Sequence, residues 1–182
     1  MDKQVDFSAY QYLLQVCLIN RALSEAKLVH AHIIQSAFKF NCTDMALPNK
    51  ILSVYSKCGN LIDGHGFLEQ MPERNVVSWS VMIAAYSRAS DGKELLTLFN
   101  QMQGAGILPN QFTLSNLLPA CTHLEAMVEV HEEIIRSGFH SEFFVGNDLL
   151  YMYTKYGKIN IARYVFDKLL RRDVVTWNAM IA

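Results

Sequence analysis

Apolar residues along this chain recur at helical rather than strand-like spacing, so the pattern predicts helices throughout. Val76, Trp79, Met82, Ile83 and Tyr86 form one stripe, and Leu95, Leu96, Leu98, Phe99 and Met102 form another. Ser90-Asp91-Gly92 breaks the chain between them, with Asp91 three residues before Glu94 as a capping pair. Gly104, Gly106 and Pro109 then stop the second helix, and Gly59-Asn60 and Gly157-Lys158 mark the same kind of turn elsewhere. The predicted unit is a helix-turn-helix hairpin. A single hairpin cannot bury both of its stripes, so successive hairpins have to stack around a shared core.

The hairpins are related to one another. Leu52–Ala84 returns 98 residues later as Leu150–Ala182, with 11 of 33 positions identical, among them Tyr55/Tyr153, Gly59/Gly157, Arg74/Arg172 and Trp79/Trp177. Phe7–Cys17 matches Gln111–Cys121 at an offset of 104, and His30–Phe38 matches His131–Phe139 at 101. The offset changes in steps of three residues, close to one helical turn, at helix ends where length changes are tolerated. The expected organisation is a leader at 1–6, then units Phe7–Asp44, Met45–Asn75, Val76–Asn110, Gln111–Glu142 and Phe143–Asp173, and a further start at 174–182. Their lengths are 38, 31, 35, 32 and 31.

Composition narrows the chemistry. Hydrophobic residues make up 51% of the 182 positions, enough for a buried core, and the net charge is −1, so any contact with nucleic acid has to be local. Cys17, Cys42, Cys58 and Cys121 contain no CxxC pair and share no zinc spacing with His, which points to free thiols. Cys17 and Cys121 fall at matching repeat positions and are expected to pack as small apolar residues. The longest apolar stretch is far short of a membrane span, and MDKQVDF is unlike a secretory or transit peptide. His131-Glu132-Glu133 reads HxE, as in zinc deaminases, but no PCxxC follows it and its repeat counterpart His30 lacks the Glu. With no phosphate loop, nucleophile elbow or triad either, no catalytic residue, metal or cofactor is expected.

The segment VVSWSVMIAAYSRASDGKELLTLFNQMQGAGILPN is similar to the 35-residue pentatricopeptide repeat, and VYSKCG, MPERNVVSWS, ILPNQFTLS and MYTKYG follow in that family's order. The alternation of long-type, short and standard units resembles the plant P-L-S subclass. The resemblance implies an all-α fold, a right-handed α-solenoid of stacked hairpins. It also implies sequence-specific binding of single-stranded RNA in mitochondria or chloroplasts, commonly to guide C-to-U editing or processing beside an editing deaminase or editing factors. Neither DNA nor a membrane is an expected partner. In such arrays one base is read per repeat by two or three side chains. Residue five and the last residue of each repeat do so, here Gln11 with Asp44, Asn49 with Asn75, Ser80 with Asn110, Ser115 with Glu142, and Asn147 with Asp173, with Asn178 in the partial unit. Residue two clamps the bases, here Ala46, Val77, Phe112 and Phe144. The implied RNA, 5′ to 3′, is any base, pyrimidine, A, any base, U; the long-type units carry no base assignment.

Other readings compete at several positions. Asn49, Asn147 and Asn178 are base readers or residues that cap or top a helix. Phe112 and Phe144 are stacking platforms or core. Trp79 and Trp177 are in phase with the buried stripe, so core packing is expected of both. Arg74, Arg171, Arg172, Lys57 and Lys155 fit helix C-termini better than phosphate contacts. A protein-binding scaffold of tetratricopeptide-like repeats is the alternative function. The chain's end at Ala182, inside a first helix, is expected for a piece of a longer array.

Overall fold

The computed structural model describes residues 7–35, 45–121 and 124–181, which excludes the candidate Asp44 and also Cys42. Among the described residues all regular elements are helices, and none is long and apolar enough to cross a membrane. They fall into two compact units, 1–89 and 90–182. The first contains α1 (Phe7–Asn20), α2 (Leu23–Gln35), α3 (Ala46–Lys57), α4 (Leu61–Gln70) and α5 (Val76–Arg88). The second contains α6 (Gly92–Gly104), α7 (Gln111–Leu117), α8 (Leu124–Arg136), α9 (Phe143–Lys155), α10 (Ile159–Lys168) and α11 (Val174–Ile181).

In the first unit α1, α3 and α5 pack side by side as one layer, and α2 and α4 back onto it. In the second, α7, α9 and α11 make the corresponding layer, with α8 against α7 and α10 against α9. Leu14, Leu47, Ile51, Leu52, Trp79, Met82 and Ile83 form the core of the first unit, and Leu95, Leu98, Leu114, Leu149, Leu150 and Tyr153 that of the second. Val76 and Leu96, expected in buried stripes, are only half-buried. Cys17 and Cys121 are buried as expected, and burial pushes the Cys121 thiol up to about 11.

Turn chemistry follows the glycines at some helix ends but not at Arg21, which has φ 52° between α1 and α2, or at Ser90. Gly59 (φ +74°) and Gly157 (φ +66°) take the left-handed conformation that ends α3 and α9. Between α5 and α6 it is Ser90 that has positive φ, at 58°, while Gly92 lies inside α6. Gly92 is needed for closeness: a Cβ there would sit 2.8 Å from the Ala120 carbonyl oxygen. Asp91 caps α6 by accepting from the Glu94 N–H at 3.2 Å. α7 is shorter than α1 because Leu118-Pro119-Ala120 tightens into a 3-10 turn around a proline that has no N–H to donate.

The recurring histidines lock second helices to first helices. His30 Nδ1 meets the Tyr55 hydroxyl at 2.8 Å, and His131 Nδ1 meets the Tyr153 hydroxyl at 2.6 Å. The HxE histidine is thus a packing residue, while Glu133 is buried and pairs with Arg136. Burial pushes both imidazoles below the ordinary histidine range. The folded state therefore keeps them neutral at a pH where the unfolded chain, titrating near 6.5, has taken up protons. The resulting stability is fully present above the unfolded value and declines as pH falls below it. The melting temperature is expected to drop between pH 7.5 and 5.5, and replacing both histidines by Gln should shrink that drop. Thermal melts by circular dichroism check this, and an unchanged pH dependence in the double variant would count against it.

Candidate nucleic-acid interface

Residues two and five of each first helix are three apart and so share one helix face. On this face Val77 is 46% exposed, Phe112 55% and Phe144 64%, and Ala46 is exposed as well. The two phenylalanines therefore lie on the surface and not in the core. Their rings are available to stack on a base, a contact worth about 1–3 kcal/mol each.

Residue five and the last residue come together in both short units, through a third residue that the sequence reading missed. Ser78 Oγ donates to Asn49 Oδ1 at 2.8 Å and approaches Asn75 Oδ1 at 3.1 Å. Asn49 Nδ2 reaches Asn75 Oδ1 at 3.3 Å. Asn75 is also the N-cap of α5, accepting from Val77 N and Ser78 N at 3.0 Å each, while Ser78 Oγ accepts from Asn75 N at 3.2 Å. Because Asn75 Oδ1 already serves the cap, the single Ser78 hydroxyl hydrogen goes to the shorter bond, to Asn49.

The same cluster is rebuilt in the second unit. Thr176 Oγ1 lies 2.9 Å from both Asn147 Oδ1 and Asp173 Oδ1. Asp173 caps α11 through Thr176 N at 2.9 Å, and its own N–H donates to Thr176 Oγ1 at 3.1 Å. The N–H groups of Thr176 and Val175 and the Thr176 hydroxyl hold the Asp173 carboxyl below the usual carboxylate range. Asn110 caps α7 in the same way, accepting from Thr113 N and Thr113 Oγ1 at 2.9 Å. The signal for all three is a Ser or Thr three residues after the last residue of a unit, a capping spacing.

The other candidates are placed differently. Ser80 is buried, with its hydroxyl bonded back to the Val76 carbonyl. Ser115 Oγ is buried beside the Asp148 carboxyl, whose proton affinity burial raises and the Ser115 hydroxyl lowers. Glu142 precedes α9 but makes no side-chain cap. Gln11 is half-buried on α1, and Asn178 is exposed on α11. Trp79 is 1% exposed, but Trp177 is 53% exposed, which corrects the expectation of core packing for the second tryptophan. One side of its ring meets Phe166 at 4.8 Å, and among the described residues no later helix covers the other.

The arginines brace helix ends. Arg74 Nη2 donates to the Glu69 carbonyl at 2.9 Å near the end of α4 and lies 5.6 Å from the Trp79 ring centre. Arg172 donates to the Phe166 and Asp167 carbonyls of α10 at 3.0 and 3.1 Å. Both add donors to carbonyls at a helix C-terminus. Among the described residues no group of three or more His, Cys, Asp or Glu is placed to hold a metal.

The PPR repeat family model matches residues 74–123, and the PPR repeat model matches residues 49–76. A mitochondrial pentatricopeptide repeat-containing protein of Arabidopsis thaliana is 38% identical over 181 residues, covering 95% of this chain and 27% of its own length. A chloroplastic one from the same plant is 38% identical over 134 residues, covering 72% of this chain and 19% of itself. The pentatricopeptide repeat protein PPR10, solved in complex with an 18-nt psaJ RNA element, matches with a TM-score of 0.69 at 19% identity, covering 98% of this chain and 26% of that one. That likeness gives the fold class, an α-solenoid of helical hairpins. The chain spans about a quarter of the first of these relatives. Relatives this similar over nearly the whole sequence, sharing the repeat and the hairpin fold, make the chain a member of the pentatricopeptide repeat family.

Proposed function

We propose that this chain is a recognition module for single-stranded RNA, reading about one base per hairpin in a plant mitochondrion or chloroplast. The observation that carries the reading is the polar cluster built twice, Asn49–Asn75–Ser78 and Asn147–Asp173–Thr176, with groups left over to meet a base. In the second cluster Asn147 Oδ1 and Asp173 Oδ1 share the one Thr176 hydroxyl hydrogen, the Asn147 amino group is the donor on offer, and the exposed Asp173 carboxylate has an acceptor oxygen beyond the one in the cap. A donor beside an acceptor fits uracil, which presents a carbonyl next to N3–H. In the first cluster the carboxylate is replaced by Asn75, whose Oδ1 is committed, leaving two amide donors for the acceptor-rich edge of a pyrimidine. The adenine assignment at Ser80 and Asn110 rests on the family pattern alone.

The hairpins are then units 7–44, 45–75, 76–110, 111–142 and 143–173, with a further start at 174, in a P-L-S arrangement. The names of the relatives, mitochondrial and chloroplastic, support the compartment. The chain supplies recognition and not catalysis, so C-to-U editing or processing at the bound site would fall to a partner, an editing deaminase or editing factor. Fluorescence anisotropy with the full chain tests the proposal. An RNA carrying pyrimidine, A, any base, U should bind more tightly than the same RNA with its U replaced by C, and more tightly than DNA of the same sequence. Equal binding of all three by the folded chain would reject base reading and favour a protein-binding scaffold.

A further inference from the structure

We propose that Asp148 makes the 111–142 unit a guanine reader, an inference that rests on the RNA-binding reading above. Phe112 and Phe144 flank an open groove of about 660 Å³ that Ser115 and Asp148 also line. The groove is large enough for a purine. Its sides are two exposed phenyl rings, suited to the faces of a base. Its polar groups are the half-buried Asp148 carboxyl and, beside it, the buried Ser115 hydroxyl.

The carboxyl is costly as it stands: Asp148 belongs to none of the ion pairs among the described residues, and burial raises its affinity for a proton, opposed only by the neighbouring Ser115 hydroxyl. A ligand with two adjacent donors would relieve it. Guanine has that edge: N1–H and the exocyclic amino group donate to the two carboxylate oxygens. Uracil offers one N–H flanked by carbonyls, which would face the carboxylate oxygens. Adenine and cytosine place a ring-nitrogen lone pair against the carboxylate. Neither residue five nor the last residue of this unit accounts for such a choice, because the discriminating carboxylate comes from the next helix, α9, one residue past Asn147.

Four RNAs that differ only at the base immediately 5′ of the U read by Asn147 and Asp173 provide the test, with the full chain and anisotropy as readout. The wild type is expected to prefer G over A, C and U by about tenfold, as for a bidentate contact to a base. Asp148→Asn, which keeps the shape and removes one acceptor, should reduce the preference to about twofold or less while leaving the choice of U over C at the next base intact. That intact choice also shows that the variant is folded. A wild type indifferent at this base, or preferring another, overturns the inference, as does an Asp148→Asn protein that still selects G. If U over C is retained in those cases, the RNA-binding reading stands and only the guanine assignment falls. If the wild type discriminates at neither base, both fall.

Discussion

Replacing Asp173 by Asn is expected to move the base preferred by the second short unit from U to C, changing their relative affinity by about tenfold. The substitution leaves the scaffold alone. Asn is a good N-cap, and its Oδ1 can keep accepting from Thr176 N, so α11 should start where it does now. What changes is the group directed at the base. The carboxylate oxygen becomes an amino group, and uracil N3–H then meets a donor where it had an acceptor. Cytosine N3, a lone pair, meets the partner it lacked. Losing one charge-assisted bond and stranding a donor costs about 1.4 kcal/mol or more, which is the tenfold change. The reciprocal change, Asn75→Asp, should move the first short unit toward U, because Asn75 holds the equivalent place against Asn49 and Ser78. Competition binding with RNAs differing at one base reads both results. An unchanged U preference in Asp173→Asn would remove this cluster from base selection.

How far the site was legible depends on which link of the argument is asked for. Helical spacing and the glycine turns gave the hairpins, since a buried stripe and a left-handed turn each leave a direct mark on residue type. The resemblance to the pentatricopeptide repeat implied Asn49, Asn75, Asn147 and Asp173, and the structure brings each pair within reach of one hydroxyl. That hydroxyl, Ser78 or Thr176, went unnoticed because Ser and Thr are common on any surface. Its part is defined only by the three-dimensional approach of residues 29 positions apart. Ser80 shows the converse: it occupies the reading position, yet its hydroxyl bonds the carbonyl four residues back, a choice that spacing cannot reveal. His30 and His131 were recognised as counterparts, but the tyrosines that explain them lie on other helices.

The tryptophans carry the second large effect, because repeat position alone makes them equivalent and burial does not. Trp79→Ala should destabilise the first unit by about 3–5 kcal/mol, the range for emptying a buried aromatic site. The ring is 1% exposed, and its Nε1 has no hydrogen-bond partner, so the loss is one of packing and of the Arg74 contact. Against a total stability of about 5–15 kcal/mol, that is enough to bring the unit close to unfolding. Trp177→Ala should cost about 1 kcal/mol, since the ring is 53% exposed and its principal contact is one aromatic pair with Phe166. Urea unfolding followed by far-ultraviolet circular dichroism should therefore show a large fall in midpoint for the first variant and a small one for the second. Trp79→Phe separates volume from the indole N–H: it refills most of the site and removes a donor that had no partner, so its midpoint should lie much nearer the wild type than that of Trp79→Ala. Equal shifts for the two alanine variants would mean that the repeat position, and not the helices that cover it, determines what a tryptophan contributes.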